Sequence, residues 1–461
     1  MRLRAGAASL LLAAVASSSS CVFPNLSHVE HVHDVVRVQV GHDTRDQVRA
    51  LLGAPPVVDT PELYVYDWEK SKALFVMFAG YGGVVEPMGF TGTRALIVFD
   101  DDGRVARVEV KGAGQSDASD ASDATASVEK LPRAGATPAP QGACAHGQAV
   151  GAYYAGPESR LAIGFSREIR LCDELGEKEV GRLAGRFYGF AISQDGRLAA
   201  TYNRDQVLML RDGSALEPLR ELDPASQKGK PSPFGEGSAL AFSSDGGRLL
   251  ASFPTLGTVV YDTATGEAVL RRSESRAALL SPDGRGLLSW KARAGLTLTE
   301  VDTGHDIFVR PPPAKPWGGG SAAFSMDGRR LAVASCAHAE VWDLDAMTSS
   351  GGTKGLKEAF LLPFSKMLGT CRSWSAFSSD GGTLAVATEG TVTLYDLAAH
   401  RIRASYGIAW PVAGVAFTSD LTRAAFITTM TWVHGEVALN IVMWEVGNVE
   451  KAAASSAADR P

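Results

Sequence analysis

The chain has 461 residues, which is too long for one ordinary hydrophobic core and predicts two or more domains. Its 45% hydrophobic and 21% charged residues are typical of a globular protein, and its 49 glycines favour many tight turns. The net charge is −6 and no block of Lys and Arg occurs, so nucleic acid is not expected as a partner.

The N-terminus carries the pattern of an export signal. Arg2 and Arg4 precede an apolar run at residues 5–16, and four serines then lead to Cys21. A charged start, a short apolar run and small residues before a cleavage point are typical of a signal peptide, here residues 1–20. An apolar run of this length is too short to span a bilayer, so the signal is not expected to remain as a membrane helix.

Cys21 lies where a bacterial lipoprotein signal places its lipidated cysteine. This position predicts a lipid anchor, and Val22 favours sorting to the periplasmic side of the outer membrane. The alternative is cleavage near residues 14–16, which would give a soluble periplasmic protein. Residues 21–36 would then form a tether. This stretch contains His28, His31 and His33, but no further ligand set accompanies them, so we predict solvated histidines and no metal site.

Residues 37–111 have the pattern of a small α+β domain. Thr44 and Gln47 form a capping box before the apolar positions of a short helix, and Gly53 ends that helix. Strands are predicted at residues 63–68, 73–78, 94–99 and 105–110, with a glycine-rich insertion at residues 79–93. The sequence at residues 100–103, Asp-Asp-Asp-Gly, predicts a hairpin turn.

This region resembles the SmpA/OmlA (BamE-like) family of outer-membrane lipoproteins. The resemblance lies in the run from Val40 to Pro55, the aromatic strand Tyr64–Trp68 and the closing hairpin from Ile97 to Val105. It implies a helix-plus-antiparallel-sheet module that docks onto envelope partners. The insertion at residues 79–93 departs from the family pattern, so the family's partner surface is not carried over to this chain.

A low-complexity linker follows at residues 112–147. Three Ser-Asp pairs recur at intervals of three residues, and Pro132, Pro138 and Pro140 follow. Almost no large apolar side chain occurs, so the stretch cannot bury enough surface to offset the entropy of the chain. We predict a flexible spacer.

Residues 148–447 repeat a motif in which an apolar residue and small residues precede an acidic residue, usually Asp-Gly, and a strand. The acidic positions are separated by 37 to 53 residues, with a mean near 44. They are Glu158, Asp195, Asp245, Asp283, Asp327, Asp380 and Asp420. This spacing is typical of four-stranded propeller blades.

A second acidic position follows each first one, mostly 15 to 19 residues downstream. These positions are Asp173, Asp212, Asp262, Asp302, Asp343, Asp396 and Glu445. With its two periodicities the region resembles the WD40 family, although the Trp-Asp pair itself is present only at Trp342-Asp343 and no Gly-His pair precedes the blades. The resemblance implies a seven-bladed β-propeller, so the chain is predicted to be mainly β, with a small N-terminal α+β domain and a tail at residues 448–461. Either residues 126–130 or the stretch after Val446 could supply the strand that closes the ring.

Four cysteines remain after Cys21. Cys144 could pair with Cys172 within the first blade, and Cys336 with Cys371 between neighbouring blades. The alternative is that all four are isolated small hydrophobic residues.

No catalytic motif occurs, so the chain is not expected to be an enzyme and no catalytic, cofactor or metal residue is assigned. His305, His338, His400 and His434 are scattered over different blades, and Trp317 is the best candidate for an exposed contact. We therefore expect an envelope-tethered protein-interaction scaffold that is accessory to outer-membrane assembly and whose partners are envelope proteins. The alternative is a periplasmic enzyme or small-ligand sensor that uses the central channel of the propeller.

Overall fold

The computed structural model describes residues 20–24, 32–112, 144 and 149–445, with short gaps. The gaps are residues 56, 80–81, 156–159, 166, 174–176, 204, 206, 223–238, 254–256, 273–276, 292–294, 311–319, 336, 350–354, 363–371, 389–390, 408–411 and 434–435. The described chain is mainly β, as the sequence predicts. No helix within these ranges is long and apolar enough to cross a bilayer.

Residues 32–112 form one helix–sheet unit, to which a strand at residues 20–24 is added. A 3₁₀ helix, Val32–Arg37, precedes helix α1, Arg45–Leu52. The strands are β1 (Ser20–Pro24), β2 (Val58–Asp59), β3 (Leu63–Ala79), β4 (Gly82–Phe99) and β5 (Val105–Gly112). They form an antiparallel sheet in the order β1-β3-β4-β5, and β2 pairs with β3.

Helix α1 begins and ends where the sequence predicts. The Gln47 N–H donates to the Thr44 side chain at 3.5 Å, and the Thr44 N–H donates to the Gln47 side chain at 2.8 Å. Gly53 takes a φ of 78° and its N–H donates to the Arg49 carbonyl, which ends the helix. Val48 is fully buried against the aromatic face of the sheet, so the capping-box prediction is confirmed.

Strands β3 and β4 are longer than predicted. The two short strands expected at residues 63–68 and 73–78 are one continuous strand, and the expected insertion at residues 79–93 lies largely within β4. The residues between the two predicted segments, Glu69 to Lys72, are polar and include neither Gly nor Pro. They interrupt the hydrophobic pattern, but the pairing register of β3 with β4 is the same on both sides of them.

Seven antiparallel sheets follow one another along the described part of residues 149–445. The first three are β6–β9 (Ala149–Ala155, Arg160–Phe165, Glu168–Cys172, Glu179–Ala184), β10–β13 (Phe187–Ile192, Leu198–Asn203, Leu208–Asp212, Pro218–Leu222) and β14–β17 (Ala239–Phe242, Arg248–Phe253, Gly257–Asp262, Ala268–Arg272).

The next three sheets are β18–β21 (Ala277–Leu280, Gly286–Lys291, Gly295–Glu300, Asp306–Arg310), β22–β25 (Ser321–Phe324, Arg330–Ala334, His338–Asp343, Leu356–Leu361) and β26–β29 (Ser373–Phe377, Thr383–Thr388, Thr391–Asp396, Arg401–Gly407). The seventh sheet has three described strands, β30–β32 (Val412–Phe417, Arg423–Val433, Glu436–Glu445). Helix α2, Leu344–Ser349, lies between β24 and β25.

Each sheet packs its face on the next one. Buried side chains of the second and third sheets share one cluster that contains Tyr202, Leu208, Leu249 and Phe253. Equivalent clusters join the other consecutive sheets from the first to the seventh. Strands of the seventh sheet also contact β6 of the first sheet. The sheets are therefore arranged as propeller-like blades, each burying the faces that it could not bury alone.

Cys144 and Cys172 form a disulfide bond in the first sheet, with a Cα–Cα distance of 6.0 Å. This is one of the pairings that the sequence left open. Cys336 and Cys371 lie outside the described residues, as do both candidate closing segments.

Candidate functional site

The repeated Asp-Gly motif forms the turn between the first and second strands of the blade sheets. In six sheets a Ser or Thr hydroxyl donates to the aspartate two residues later at 2.5 to 2.6 Å. The same hydroxyl oxygen accepts the backbone N–H five residues after it, at 2.7 to 3.0 Å. The six pairs are Ser193–Asp195, Ser243–Asp245, Ser281–Asp283, Ser325–Asp327, Ser378–Asp380 and Thr418–Asp420. Glu158 of the first copy lies outside the described residues.

These hydrogen bonds favour the charged form of five turn aspartates, whose pKa values lie below the ordinary value for aspartate. The hydrogen bond that the Ser243 hydroxyl donates is the main cause of the lowered pKa of Asp245, and a hydrogen bond from the Gly247 backbone N–H lowers it further. The pKa values of Asp195, Asp327 and Asp380 are lowered for the same reason. Burial alone would raise the pKa of Asp420, but hydrogen bonds from Thr418 and Thr422 hold it below its ordinary value. Each of these carboxylates accepts hydrogen bonds from groups of its own turn, so the repeated motif has a structural explanation.

The second acidic landmark caps the turn between the third and fourth strands. Asp262 accepts the backbone N–H groups of Ala264 and Thr265, and Asp212 and Asp396 do the same in their sheets. The prediction that Asp302 is the second acidic landmark of the fourth sheet is wrong. Glu300 pairs with Gly286 in the fourth sheet as Asp262 pairs with Arg248 in the third, so Glu300 holds that position. Asp302 instead accepts a hydrogen bond from Arg248 of the preceding sheet at 3.3 Å.

One cluster has the residue types of a hydrolase triad. The Ser335 hydroxyl lies 3.0 Å from His338 Nδ1, and His338 Nε2 lies 2.8 Å from Glu340. The Trp342 indole N–H donates to the other Glu340 oxygen at 3.0 Å. His338 and Glu340 are 1% and 0% exposed, so a substrate could not reach the base. The cluster satisfies buried polar groups within the fifth sheet and is a structural network.

The helix–sheet unit docks on the outer strand of the fifth sheet. Leu63, Val65 and Leu96 pack with Ala359 and Leu361 of β25 in one buried cluster. This apolar contact joins parts of the chain about 260 to 300 residues apart in sequence. An outer blade strand carries unpaired backbone groups on its free edge, so the contact also has to satisfy hydrogen bonds.

Alternate residues of β5 provide those hydrogen bonds. Arg107 donates to the Ala359 carbonyl, and Lys111 Nζ donates to the Leu361 carbonyl at 2.6 Å. The Leu361 N–H donates to Glu109 at 3.3 Å. Residues two apart on a strand lie on the same face, so Arg107, Glu109 and Lys111 together cover the strand edge as a neighbouring strand would.

Glu358 is the charged centre of this contact. Its side chain is 5% exposed and accepts hydrogen bonds from Arg107 at 2.8 Å and from His400 Nδ1 at 2.5 Å. Burial would raise the pKa of Glu358, but these partners more than offset burial and hold the pKa below its ordinary value. Phe360 on the neighbouring part of β25 stacks on Tyr395, with ring centroids 3.9 Å apart. We call Arg107, Glu109, Lys111, Glu358 and His400 the edge site.

The backbone of His400 is strained. It has a φ of 51° in a turn where the third and fourth sheets have glycine, Gly266 at 77° and Gly304 at 70°. A residue with a side chain costs about 1–2 kcal/mol in this region. In this conformation the His400 imidazole reaches Glu358 of the neighbouring sheet. The hydrogen bond between His400 and Glu358 is therefore made by a residue with an unfavourable backbone conformation.

A cleft of about 380 Å³ lies between α1 and the turns of the helix–sheet unit. Three of its charged groups already have partners: Arg49 pairs with Asp59 and lies over the Tyr64 ring at 5.3 Å, and Arg45 donates to the Pro61 carbonyl. The cleft therefore gives no specific indication of a ligand.

The other candidate residues that the sequence suggests do not lie together in the structure. Cys21 lies in β1, whereas His28, His31, His434 and Trp317 lie outside the described residues. His305 is exposed, His338 is buried in the network, and His400 belongs to the edge site. Within the described ranges no group of three His, Cys, Asp or Glu side chains could hold a metal ion. Sequence reasoning missed Arg107 and Glu358, because a lone Arg and a lone Glu carry no local pattern.

No protein-family model matches the chain, and no curated protein matches it. Among solved structures, the crystal structure of the β-propeller domain of Cps50 (Swd1) from Myceliophteria thermophila is similar, with a TM-score of 0.50 and 14% sequence identity. The likeness covers 65% of this chain and 98% of that domain. At this identity the likeness concerns the fold alone, and it shows that the blade sheets have the β-propeller fold.

Proposed function

We propose that the chain is an envelope-tethered protein-interaction scaffold. In this proposal Cys21 carries a lipid anchor at the periplasmic side of the outer membrane. Residues 37–111 are a BamE-like module, residues 112–147 are a spacer, and residues 148–447 are a closed seven-bladed WD40-like propeller. The partners are envelope proteins, and the chain serves as an accessory to outer-membrane assembly.

The docking of the helix–sheet unit on β25 is the observation that carries the proposal. The apolar cluster and the edge site hold two different folds in a fixed arrangement, although a long linker separates them in sequence. A fixed pair of surfaces suits the simultaneous binding of large partners, because little orientational freedom remains to be lost on binding. WD40 propellers commonly serve as interaction scaffolds, which agrees with this use.

The composition of the inner strands favours a scaffold over an enzyme. The first strands of several neighbouring sheets contact one another and therefore line the centre of the array. None of the first strands contains Asp, Glu, His, Lys or Arg. They are β6, β10, β14, β18, β22, β26 and β30. General acid–base chemistry in the channel would need such groups from elsewhere.

The proposal is tested by affinity capture of the tagged full chain from detergent-solubilised envelopes. We expect outer-membrane assembly proteins to be recovered, and their recovery to fall when Arg107→Ala and Lys111→Ala release the helix–sheet unit. A matched control is Arg182→Ala, which removes a half-exposed arginine from the first sheet. Recovery of no envelope protein above an untagged control would refute the scaffold, and an unmodified Cys21 in the mature protein would refute the anchor.

A further inference from the structure

The face of the helix–sheet unit that contacts β25 carries charged residues as well as apolar ones. Val65 of β3 belongs to the apolar cluster shared with β25, and Asp67, two residues further along the strand, lies on the same face. Cross-strand pairing places Arg94 of β4 opposite Asp67, and Lys111 of β5 opposite Arg94. A row of three ionisable side chains therefore borders the apolar cluster.

Three ion pairs accompany the apolar cluster, and most of their groups are shielded from water. Arg94 Nε lies 3.1 Å from Asp67, and the two side chains are 7% and 12% exposed. Lys111 Nζ lies 3.1 Å from Glu109, and the lysine side chain is 10% exposed. The third pair joins the two folds at the centre of the edge site. We call the apolar cluster and these three pairs the docking contact, in which three carboxylates face three cations.

Glu358 accepts hydrogen bonds from three parts of the chain. Arg107 of β5 and His400 of the sixth sheet donate to its two oxygens, and the Ala359 N–H donates at 3.0 Å. Burial raises the pKa of the Tyr395 phenol in β28, and interaction with Glu358 raises it further, so this neighbour stays neutral. The Glu358 carboxylate therefore links the helix–sheet unit to the fifth and sixth sheets.

Acid acts differently on the two members of each ion pair. A carboxylate takes up a proton at about pH 4, whereas Arg and Lys keep their charge below about pH 10. Protonation of the three carboxylates leaves three cations in a contact that excludes much of the water, and a protonated His400 adds a fourth. The cost is largest for Arg94 and Lys111, the least exposed of the cations. Separation of the two folds returns these cations to water, so proton uptake favours the separated state.

The lowered pKa of Glu358 has the same direction. Burial raises this pKa, but the hydrogen bond from His400 and the charge of Arg107 hold it below the ordinary value of 4.5. The charged form therefore contributes stability above that pH, and this stability is lost as the pH falls through the lowered pKa.

The turns of the blade sheets respond less to acid. The main donors to Asp245 are the Ser243 hydroxyl and the Gly247 backbone N–H, which are neutral, so protonation of the aspartate leaves neither donor with an unpaired charge. Neighbouring sheets pack through apolar clusters that do not titrate. We therefore expect the docking contact to fail at a higher pH than the blades.

We propose that the docking contact is an acid-released latch, in which protonation of Asp67, Glu109 and Glu358 separates the helix–sheet unit from the fifth sheet while the blade sheets stay folded. Release uncovers the edge of β25, where the backbone groups of Ala359 and Leu361 can then pair with another strand. The latch makes the fixed arrangement of the two folds depend on pH, and it requires neither a lipid anchor nor a partner protein.

Small-angle X-ray scattering of the purified full chain over a series of pH values measures the release. The chain carries Cys21→Ser so that no acyl group is attached, and circular dichroism at each pH reports whether the blade sheets remain folded. We expect the radius of gyration to increase between about pH 5 and about pH 3, before the β-sheet signal is lost. A single transition, in which both signals change together, would overturn the latch, and so would a separated unit at pH 7.

Variants of the pair between the two folds test whether charge causes the release. Glu358→Gln leaves Arg107 without a carboxylate and should move the release to a higher pH. The double variant Arg107→Gln and Glu358→Gln also removes the cation, and should release at a pH about 0.5 lower than the native chain. The matched control, Arg182→Gln with Glu179→Gln, removes a partly exposed pair of the first sheet and should leave the release unchanged. Release of the double variant at or above the pH of the native chain would contradict the proposal.

Discussion

The repeated turns and the edge site both provide hydrogen-bond partners for polar groups, but the turns use neighbouring residues and the edge site uses residues distant in sequence. Each turn satisfies its polar groups within about six residues, and six sheets repeat the same Ser/Thr–Asp solution. The edge site satisfies one strand edge with side chains from about 250 residues away. The comparison shows that the blades are stabilised by redundant local contacts, whereas the docking of the helix–sheet unit depends on a few contacts that occur once.

The largest loss is expected from Glu358→Ala. The change leaves Arg107 without its carboxylate and leaves the strained His400 without its partner. Loss of one member of a buried pair is strongly destabilising, and the partial exposure of Arg107 reduces the effect, so we expect about 2–3 kcal/mol in the free energy of unfolding. Urea titration of the full chain measures it. The control is Glu221→Ala, an exposed residue of β13 for which a change within about 0.5 kcal/mol is expected; equal effects of the two changes would contradict the role of Glu358.

A smaller loss is expected from Ser243→Ala in one turn. The change removes a donor to Asp245 and an acceptor for the Arg248 N–H, which should cost about 1–2 kcal/mol. Ser243→Thr is the matched control, because Thr418 makes the same two hydrogen bonds in the seventh sheet. If thermal or urea unfolding distinguishes neither variant from the native chain, the turn hydroxyl does not stabilise the fold.

Within the helix–sheet unit, Thr44→Ala should cost about 1 kcal/mol, since it removes the N-cap of α1. Thr44→Ser preserves the hydroxyl and should restore most of the loss. Circular dichroism during urea unfolding measures both variants. A loss that is equal for Ala and Ser would mean that the methyl group, not the cap, is responsible.

The smallest expected effect is a change in acid sensitivity. The folded pKa of Asp245 lies below its ordinary value of 3.8. Its charged form therefore contributes stability above that pH, and this stability is lost as the pH falls through the folded pKa. Ser243→Ala removes the main cause of the lowered pKa. The variant should therefore lose less stability than the native chain between pH 4 and pH 2, in unfolding free energies measured at each pH. A steeper loss in the variant would contradict this assignment.

The parts of the fold that could be predicted from the sequence are those whose cause is local. The capping box of α1 and the Asp-Gly turns each depend on residues within one turn, so they can be recognised directly. The length of β3 and β4 could not be predicted, because the polar residues 69–72 interrupt the hydrophobic pattern of β3 and suggest two short strands where there is one. Glu300 was missed in favour of Asp302 because register, not residue type, decides which acidic residue ends the third strand. The edge site depends on pairs separated by the whole propeller sequence before β25, which no local pattern encodes.

Hydrogen exchange along β25 tests the docking of the helix–sheet unit most directly. The Leu361 N–H, at the free edge of the fifth sheet, donates to Glu109 and should be protected in the native chain. We expect the Glu109→Ala and Lys111→Ala double variant to speed exchange in residues 356–362 at least tenfold, while residues 268–272 of β17 keep their rate. Fast exchange of residues 356–362 in the native chain, equal to that of the double variant, would show that the unit does not cover this edge and would contradict the account.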